Sequence, residues 1–313
     1  MSMVDLSIII VNYNTRELLA ECLNSISPGR DDCAVEVIVI DNASSDGSVE
    51  LLCRRFPDVI TILNDENNGF SRACNQGIRI SRGRTVLLLN SDTELLPDTL
   101  MHLDIVKSGI PDPDRVGIIG CRILNPDGSL QYSFGRFPTL LSTVLDQFKP
   151  VAKRKYVLTG YDSRREVDWV TGAFLLIRRE VIEEIGLLDE RFFMYYEEVD
   201  WCRRAKQHGW KVLYDPAPAI IHKTPLASKK STISDRLAYE VRRSHLYYFW
   251  KNRPFAEFIV LSLVTLLFLG LKWIRARTVL LSAEKEKGTS GNAGTLLADV
   301  WRDILQLMLS KRP

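Results

Sequence analysis

Short apolar runs alternate with amphipathic stretches in the first half of the chain. Four runs rich in β-branched and leucine residues predict buried strands over 6–11, 35–40, 59–63 and 85–89. Between the runs, apolar residues recur at three- and four-residue spacing, as between Leu19 and Leu23, which is typical of helices. Alternation of strands and helices predicts an α/β domain, a Rossmann-like, mostly parallel sheet with flanking helices.

The pattern changes twice in the second half. Residues 116–221 mix short strands with loops rich in Pro and Gly, and helices are predicted at 179–185 and 198–208. The polar, basic stretch 224–234 reads as a linker. We therefore predict one domain over 1–225 and a basic, helical C-terminal region over 226–313.

The C-terminal region carries a hydrophobic segment at 255–274. Its uncharged core of 14 residues, Phe258–Leu271, is shorter than the roughly 20 residues that a spanning helix needs. Basic residues flank it on both sides, and the aromatic cluster 247–250 resembles an interfacial belt. Positive charge at both ends favours a helix lying in the membrane interface, with a buried core helix and a full crossing as alternatives. The amphipathic helix predicted at 296–309 is expected on the same surface.

Composition and charge separate two regions. The chain has 313 residues, 46% of them hydrophobic and 26% charged, which is typical of a folded protein. Its net charge of +2 combines −7 over residues 1–221 (25 Lys and Arg, 32 Asp and Glu) with +9 over 222–313 (16 and 7). This balance argues against a nucleic-acid partner and favours membrane contact through the basic tail. Six cysteines without a Cys-x-x-Cys pair, and a beginning that does not resemble a secretory signal, predict reduced thiols on the cytoplasmic side.

Polar side chains follow the predicted strands, where a parallel sheet binds ligands. Asn12 follows the first strand, Asp41 the second and Asp92 the fourth. No glycine-rich dinucleotide or Walker-type phosphate loop is present, so carboxylates and a divalent cation are the expected means of holding phosphate. Asp92 is the candidate ligand, and its alternative role is to open a helix at 97–106. The pair at 112–114 has Asp-x-Asp spacing but reads as a turn.

A second cluster of charged residues lies in the helix predicted at 198–208. Glu198 has the apolar neighbour Trp201, and such surroundings raise the pKa of a carboxyl group, as suits a general base. Asp200 and Arg204 are four residues apart, so a surface ion pair is their simplest interpretation. His222 follows a short strand and is either structural or a metal ligand.

Six segments in sequence order resemble inverting family 2 glycosyltransferases with the GT-A nucleotide-diphospho-sugar transferase fold, and among these the bacterial rhamnosyltransferase-like branch. The resemblance covers roughly residues 5–225. Its segments are IIIVNYN, VIDNASSDGS, NNGFSRACNQGI, LLLNSDTEL, WVTGAFLLIRR and FFMYYEEVDWCRRAKQHGW.

The resemblance implies a role for each candidate residue. Asp41 would recognise the pyrimidine base of a nucleotide-sugar, with Asn12 and the segment 68–75, including Gly69 and Asn75, in the same pocket. Asp92 would be the acid of an Asp-x-Asp signature whose first position is Asn90 here, binding Mg²⁺ or Mn²⁺ with His222 near the metal or diphosphate. The family's catalytic base falls within a Glu-Asp-x-Asp pattern, and its second position is occupied by Glu198 here, which would be the base. The acceptor would be bordered by Trp169, Gly172 and Ala173.

The expected function is therefore inverting transfer of a sugar, with rhamnose as one candidate, in bacterial cell-surface polysaccharide synthesis. The expected donor is dTDP- or UDP-linked, the acceptor a saccharide or lipid-linked saccharide, and the location the cytoplasmic face of the inner membrane. If Glu198 is not the base, Glu197 and Asp200 are the alternatives. A non-catalytic nucleotide-sugar sensor or membrane scaffold of the same fold is the competing hypothesis, while a nucleotidyltransferase would need a glycine-rich basic loop that 12–17 does not provide.

Overall fold

The computed structural model describes residues 4–26, 33–103, 115–146, 155–223, 235–282 and 291–312. These residues form two compact units. The first comprises most of the chain up to Ser228, and the second comprises the C-terminal helices together with the short segments Thr139–Leu141 and Met194–Tyr196. The predicted boundary at 225/226 lies outside the described residues.

The first unit is a mixed α/β domain. Its strands are β1 (Leu6–Asn12), β2 (Val35–Asp41), β3 (Ile60–Leu63), β4 (Thr85–Asn90), β5 (Thr93–Leu95), β6 (Val116–Leu124), β7 (Leu130–Gln131), β8 (Phe134–Gly135), β9 (Arg165–Val167), β10 (Trp169–Val170), β11 (Phe174–Arg178) and β12 (Lys211–His222). Its helices are α1 (Arg16–Ser25), α2 (Ser48–Arg55), α3 (Phe70–Ile80), α4 (Leu140–Asp146, whose first two residues cluster with the second unit), α5 (Arg179–Ile185) and α6 (Glu197–Gln207).

The main sheet has the strand order β3-β2-β1-β4-β11-β6-β12-β5, with β7 beside β6 and β9 beside β12. The strands β3, β2, β1 and β4 are parallel, β11 is antiparallel to both of its neighbours, and β12 is again parallel to β6. The predicted α/β fold with a mostly parallel central sheet is thus confirmed. Its antiparallel members, β5, β7, β9 and β11, all follow β4 in the chain.

The strand order indicates where a ligand crevice lies. The chain runs from β1 to β2 and β3 on one side, then returns to place β4 on the other side of β1. At such a switch point the loops after the two adjacent strands diverge and leave an opening at the carboxyl ends. The carboxyl ends of β1 and β4, at Asn12 and Asn90, therefore lie at this opening.

The core of the first unit lies on both faces of the sheet. Consecutive residues of β1, Ile8, Ile9 and Ile10, are all fully buried, which explains the continuous apolar run. Helix α3 approaches closely through Gly77, where a Cβ would lie 2.8 Å from Ile9 Cγ2 and 2.9 Å from Ile40 Cδ1. A glycine there lets the helix pack directly against β1 and β2.

The predicted elements are mostly confirmed, with one exception. The four predicted strands are β1 to β4, and the helices predicted at 179–185 and 198–208 are α5 and α6. The helix considered at 97–106 is wrong over residues 97–103, the part of it that the structure describes. Only a three-residue 3-10 turn forms there, at Leu100–His102. Asp98 has a φ of 63°, which a right-handed helix does not tolerate. Residues 104–114, including the Asp112–Asp114 pair, lie outside the described residues.

The second unit contains three long helices, α7 (Asp235–Asn252), α8 (Phe255–Ser282) and α9 (Gly291–Leu309). Pro254 separates α7 from α8, and Arg312 Nε donates a hydrogen bond to the Trp250 carbonyl oxygen (2.6 Å). Across the described parts of the chain, we find no helix with the length and apolar character to cross a membrane. The interfacial aromatic belt is also wrong, because Tyr247, Tyr248, Phe249 and Trp250 are at most 4% exposed.

Candidate active site

The ends of β1 and β2 hold a fixed carboxylate. Asn12 and Asp41 are register partners, and Asn12 Nδ2 donates to Asp41 Oδ2 over 2.7 Å. The other oxygen, Asp41 Oδ1, accepts from the Ser44 backbone N–H (2.8 Å), while Ser44 Oγ accepts from Asn12 (3.0 Å). Both Asn12 and Asp41 are buried. A carboxylate has about four acceptor positions, so Asp41 retains capacity for a donor from a ligand.

A chain of hydroxyl groups joins this carboxylate to the end of β4. Thr15 Oγ1 donates to Asn12 Oδ1 (2.6 Å) and lies 2.8 Å from Ser91 Oγ. The chain therefore crosses the opening between β1 and β4. Sequence reasoning missed Thr15, Ser44 and Ser91, although Ser91 stands beside Asp92 in the same strand-end segment. Small hydroxyl residues carry no distinctive pattern, and only the strand order brings these three together.

Gly69 and Asn75 have structural partners on the loop before α6. Gly69 has a φ of +79°, and a Cβ there would lie 2.5 Å from the Phe193 carbonyl oxygen, which also accepts from the Phe70 N–H (2.6 Å). Asn75 Nδ2 donates to the Leu188 carbonyl oxygen (2.9 Å), and its Oδ1 accepts from the Leu188 N–H (3.1 Å). The predicted pocket residue Asn75 is thus fully buried and holds the 188–190 loop, so its amide is already engaged at both ends.

The metal candidates Asp92 and His222 are brought together. β5 and β12 pair with Thr93 opposite His222, which places His222 Nε2 3.1 Å from Asp92 Oδ1. His222 Nδ1 lies 2.7 Å from Gln131 Oε1, an atom that only accepts, so Nδ1 carries the proton. In the neutral ring, Nε2 then presents a lone pair towards a carboxylate, an arrangement that a shared proton or a cation stabilises.

This donor set fits a divalent cation in part. An imidazole nitrogen and a carboxylate oxygen are both ligands of Mn²⁺, and Mg²⁺ is held by one or two carboxylates together with substrate phosphates. Within the described ranges, no group of three or more His, Cys, Asp and Glu side chains gathers into a metal site. Asp92 and His222 would therefore supply two ligands and leave the remaining positions to phosphate and water.

The first turn of α6 carries two buried carboxyl groups. Glu197 and Glu198 are 5% and 4% exposed, and neither Glu197 Oε2 nor Glu198 Oε2 has a hydrogen-bond partner among the described residues. Burial, reinforced by the negative charge of Glu198, raises the pKa of Glu197 well above its ordinary value. Glu198 Oε1 instead lies 3.5 Å from Lys155 Nζ. Glu198 is therefore the member of the pair that lies beside a cation.

Asp200 has a different environment from the two glutamates. It is fully buried and accepts from Arg204 Nε (3.0 Å), and Arg204 also donates to the carbonyl oxygens of Ile185 and Leu187. Asp200 thus helps to anchor α6 to the end of α5. In the pair predicted as a surface ion pair, Asp200 is fully buried and Arg204 is partly buried, because Arg204 reaches back to the carbonyl oxygens after α5.

Two of the three acceptor candidates, Gly172 and Trp169, lie beside Glu198 or its cation. A Cβ at Gly172 would lie 3.9 Å from Glu198 Cβ and 3.5 Å from the Phe70 ring. Lys155 Nζ lies 5.1 Å from the centre of the Trp169 ring, which is fully buried and donates to the Arg136 carbonyl oxygen (2.9 Å). The ring of Trp169 therefore lies against the ammonium group of Lys155. Ala173, also buried, accepts from the Asn90 N–H (3.2 Å).

Lys155 is a further functional candidate that sequence reasoning missed. It lies in a basic stretch and has a φ of 60°, which is uncommon for a residue with a long side chain. Its ammonium group approaches Glu198, Trp169 and Tyr156, so the basic stretch contributes one cation to the interior of the site. The lysine comes from a loop remote in sequence from α6, and no spacing pattern could have indicated it.

The buried cysteines near these residues are neutral thiols. Burial raises the pKa of Cys22 and of Cys202 to about 12, and the pKa of Cys74 is likewise raised by burial and by the nearby Glu197. Nucleophilic chemistry needs the thiolate. The ionisable groups available for chemistry in this region are therefore the carboxylates, His222 and Lys155.

A family model described as "Glycosyl transferase family 2" matches residues 7–186, which is more than half of the chain. The chain belongs to glycosyl transferase family 2. The matched range includes the ends of β1, β2 and β4 together with Trp169, Gly172 and Ala173. Family 2 membership agrees with the resemblance carried by the sequence motifs, and it makes this chain a glycosyltransferase of an inverting family.

Curated relatives of this family 2 chain include three named transferases. An N-acetylglucosaminyl-diphospho-decaprenol L-rhamnosyltransferase from Mycobacterium tuberculosis is 31% identical over 238 residues, covering 69% of this chain and 75% of the relative. The low-salt glycan biosynthesis hexosyltransferase Agl10 from Haloferax volcanii is 30% identical over 246 residues, which cover 77% of this chain and 75% of the relative. The rhamnosyltransferase WbbL from Escherichia coli is 26% identical over 223 residues, which cover 69% of this chain and 82% of the relative.

Solved structures show the same fold. The mannosyltransferase PcManGT from Pyrobaculum calidifontis, in complex with GDP-Man and Mn²⁺, superposes with a TM-score of 0.53 at 17% identity, covering all of this chain and 89% of that one. GalNAc-T7 with UDP, GalNAc and Mn²⁺ gives a TM-score of 0.52 at 17% identity, covering 79% of this chain and 50% of that one. The family 2 chain therefore has a GT-A-like fold.

Proposed function

We propose that this glycosyltransferase transfers a sugar, with rhamnose as the leading candidate, from a dTDP- or UDP-linked donor to a lipid-linked or polymeric saccharide in bacterial cell-surface polysaccharide synthesis. The observation that carries the chemistry is the buried Glu198 carboxylate, whose Oε1 lies 3.5 Å from Lys155 Nζ. The rhamnosyltransferase relatives support the sugar, and the name of the mycobacterial relative supports a lipid-linked acceptor.

In this proposal each side chain has a defined task. Asp41, held by Asn12 and Ser44, accepts a hydrogen bond from the pyrimidine base. Asp92 and His222 would hold the divalent cation, Mg²⁺ or Mn²⁺, which when bound offsets charge on the departing diphosphate. The two neighbours with bound Mn²⁺ support this metal role.

Glu198 performs the proton transfer. It takes the proton of the acceptor hydroxyl while that oxygen forms a bond to the anomeric carbon, and the bond from that carbon to the diphosphate oxygen breaks. A single displacement of this kind inverts the anomeric configuration. Lys155 keeps a positive charge beside the carboxylate that accepts the proton, and the protonated Glu197 adds no second negative charge.

We further propose that the second unit holds the enzyme at the cytoplasmic face of the bacterial inner membrane. Helix α8 exposes an apolar stripe at helical spacing, and α9 exposes a second one. The stripes consist of Val260, Leu263, Leu267, Leu271 and Ile274 on α8 and of Trp301, Leu305 and Met308 on α9. The +9 charge of residues 222–313 complements anionic lipid. The six cysteines, none in a disulfide, support a reducing compartment.

The experiment that tests this function is a screen of dTDP- and UDP-sugars with the full chain, with and without Mn²⁺ or Mg²⁺. Thermal shift reports binding, and transfer to lipid-linked N-acetylglucosamine diphosphate reports turnover. The proposal expects one donor to stabilise the protein in a metal-dependent manner and to be turned over. Metal-dependent binding of a donor without transfer or hydrolysis, over several acceptors, would instead favour the nucleotide-sugar sensor.

A further inference from the structure

Residues 125–129 join β6 to β7 in a tight turn. The Asn125 N–H donates to the Ser129 carbonyl oxygen (2.8 Å), and the Gly128 N–H donates to the Asn125 carbonyl oxygen (2.9 Å). Gly128 has a φ of +79°, which glycine adopts without steric cost. The backbone of the turn therefore fixes the positions from which Asn125 and Ser129 extend their side chains.

The side chains of this turn form a chain of hydrogen bonds that ends at His222. Ser129 Oγ donates to Asp127 Oδ1 (2.6 Å), and Asn125 Nδ2 donates to Ser129 Oγ (2.9 Å). Gln131 Nε2 in turn donates to Asn125 Oδ1 (3.2 Å). The other atom of that amide, Gln131 Oε1, faces His222 Nδ1 over 2.7 Å. All five residues belong to the first unit.

The carboxylate of Asp127 sets the direction of every bond in this chain. Two hydrogen bonds from Ser129 hold the pKa of Asp127 below its ordinary value, so this group accepts and does not donate. The Ser129 hydroxyl gives its one proton to Asp127 and therefore accepts from the amide nitrogen of Asn125. The amide oxygen of Asn125 then accepts from the Gln131 nitrogen. The Gln131 oxygen is consequently the atom that is turned towards His222.

We propose that Gln131 is a positioning residue for the cation site, because it holds the His222 proton on Nδ1 and leaves the Nε2 lone pair available to a divalent cation. Without this acceptor, the ring can carry its proton on Nε2, where it would donate to Asp92 Oδ1, 3.1 Å away. That hydrogen bond would occupy both the nitrogen and the carboxylate oxygen that a cation needs. A partner on the second ring nitrogen fixes the tautomer of metal-binding histidines in general. The inference rests on the proposed function, since it takes Asp92 and His222 as the metal ligands.

The test combines nuclear magnetic resonance of the His222 ring with Mn²⁺ titration of the full chain. The metal-free protein, labelled with nitrogen isotope in its four histidines, is measured at alkaline pH, where imidazole is neutral, and His222→Asn assigns the signal. We expect the proton on Nδ1 in the wild type and on Nε2 in Gln131→Leu, which keeps the bulk of the side chain. The Mn²⁺ affinity of Gln131→Leu, measured by electron paramagnetic resonance, should fall about 10- to 100-fold.

Three further variants separate positioning from folding. Gln131→Glu keeps an acceptor for Nδ1, so it should retain the wild-type tautomer and most of the Mn²⁺ affinity. Asn125→Ala lets the Gln131 amide rotate, so a mixture of tautomers and an intermediate affinity are expected. Gln207→Leu, the same substitution at an exposed position at the end of α6, is the matched control and should behave as the wild type in both measurements.

Three results would overturn the inference. The first is a proton on Nε2 of the wild-type ring, and the second is a Gln131→Leu protein with the wild-type tautomer and Mn²⁺ affinity. The third is a loss of Mn²⁺ affinity that Gln131→Glu does not restore and that comes with an unchanged tautomer and a lower melting temperature, which would make Gln131 structural only.

Asp92→Asn, measured in parallel, distinguishes this failure from failure of the proposed metal site. If Asp92→Asn loses Mn²⁺ binding while Gln131→Leu binds as the wild type does, only the positioning inference fails. If Asp92→Asn binds Mn²⁺ as the wild type does, the proposed metal site fails and the inference fails with it.

Discussion

Single residues show how far the sequence could specify the site. Asp41 and Asp92 could be predicted because they follow strands, and a parallel sheet collects such positions at one edge. In the second cluster, the pairing of Asp200 with Arg204 could be predicted from their spacing and is confirmed, but the burial of Asp200 could not. The partner of Glu198, Lys155, is remote in sequence, and a linear pattern does not indicate such a contact.

The pKa of Glu197 leads to a prediction at the residue scale. A carboxyl group whose pKa is higher in the folded than in the unfolded protein favours unfolding once the pH exceeds its unfolded value, about 4.3. Glu197→Gln removes this penalty, so its melting temperature should exceed that of the wild type by an amount that grows from pH 5 to pH 8.

Thermal denaturation across that range measures the effect, with each kcal/mol worth roughly 2–4 °C in a domain of this size. Glu180→Gln, at a half-exposed position of α5, should give a difference that does not change with pH. A Glu197→Gln curve parallel to the wild type would show that Glu197 is ionised in the folded protein.

At the scale of elements, regular strands and helices could be predicted and their irregular joints could not. The strands β1, β2 and β4 follow from their apolar runs and are largely buried, whereas β3 forms at the edge of the sheet and leaves Ile60 and Leu63 exposed, so the burial predicted for 59–63 is wrong. The turn at Asp98 and the left-handed pair Tyr195–Tyr196 have residue types that do not indicate positive φ. Their conformations come from tertiary contacts, such as the stack of Tyr196 on His245.

Gly69 provides a prediction about the joint between the β3–α3 loop and the chain before α6. Gly69→Ala should reduce stability by several kcal/mol and abolish donor turnover, because its Cβ would meet the Phe193 carbonyl oxygen at 2.5 Å in addition to the cost of positive φ. Gly128→Ala is the matched control, since Gly128 has the same φ of +79° with nothing within 4 Å.

Gly128→Ala should lose only about 1–2 kcal/mol, the backbone cost alone. Urea denaturation of the two variants separates the free-energy cost of the steric clash from the cost of the backbone conformation. Equal losses in both variants would mean that the close approach of Gly69 to Phe193 contributes nothing.

At the scale of the whole molecule, the uneven charge remains the most useful feature of the composition. The acidic region supplies Asp41, Asp92 and Glu198, and the basic region contains α8 and α9 with their exposed apolar stripes. The sequence predicted the hydrophobic segment 255–274 and the amphipathic helix 296–309. It misassigned the aromatic cluster 247–250, because buried and interfacial aromatic residues have the same composition and differ only in what covers them.

The exposed stripe of α8 predicts lipid binding by the full chain. The protein should float with vesicles of phosphatidylglycerol more than with phosphatidylcholine, and Leu263→Glu with Leu267→Glu should reduce flotation at least tenfold, since both side chains are over 60% exposed and each buries apolar area worth ~1.5–3 kcal/mol. Leu130→Glu with Leu158→Glu places the same change on exposed leucines of the first unit and should leave flotation unchanged. Undiminished flotation of the α8 variant would contradict the proposed surface.

The central claim is that Glu198 is the base of a glycosyl transfer. The most direct test is single-turnover transfer by Glu198→Gln, with donor affinity measured by calorimetry and the half-exposed Glu180→Gln as the matched control. The account predicts a loss of at least about 10²-fold in the transfer rate, the contribution of a general base, with donor affinity unchanged and the control fully active. Transfer by Glu198→Gln at the wild-type rate would contradict it and place the base elsewhere.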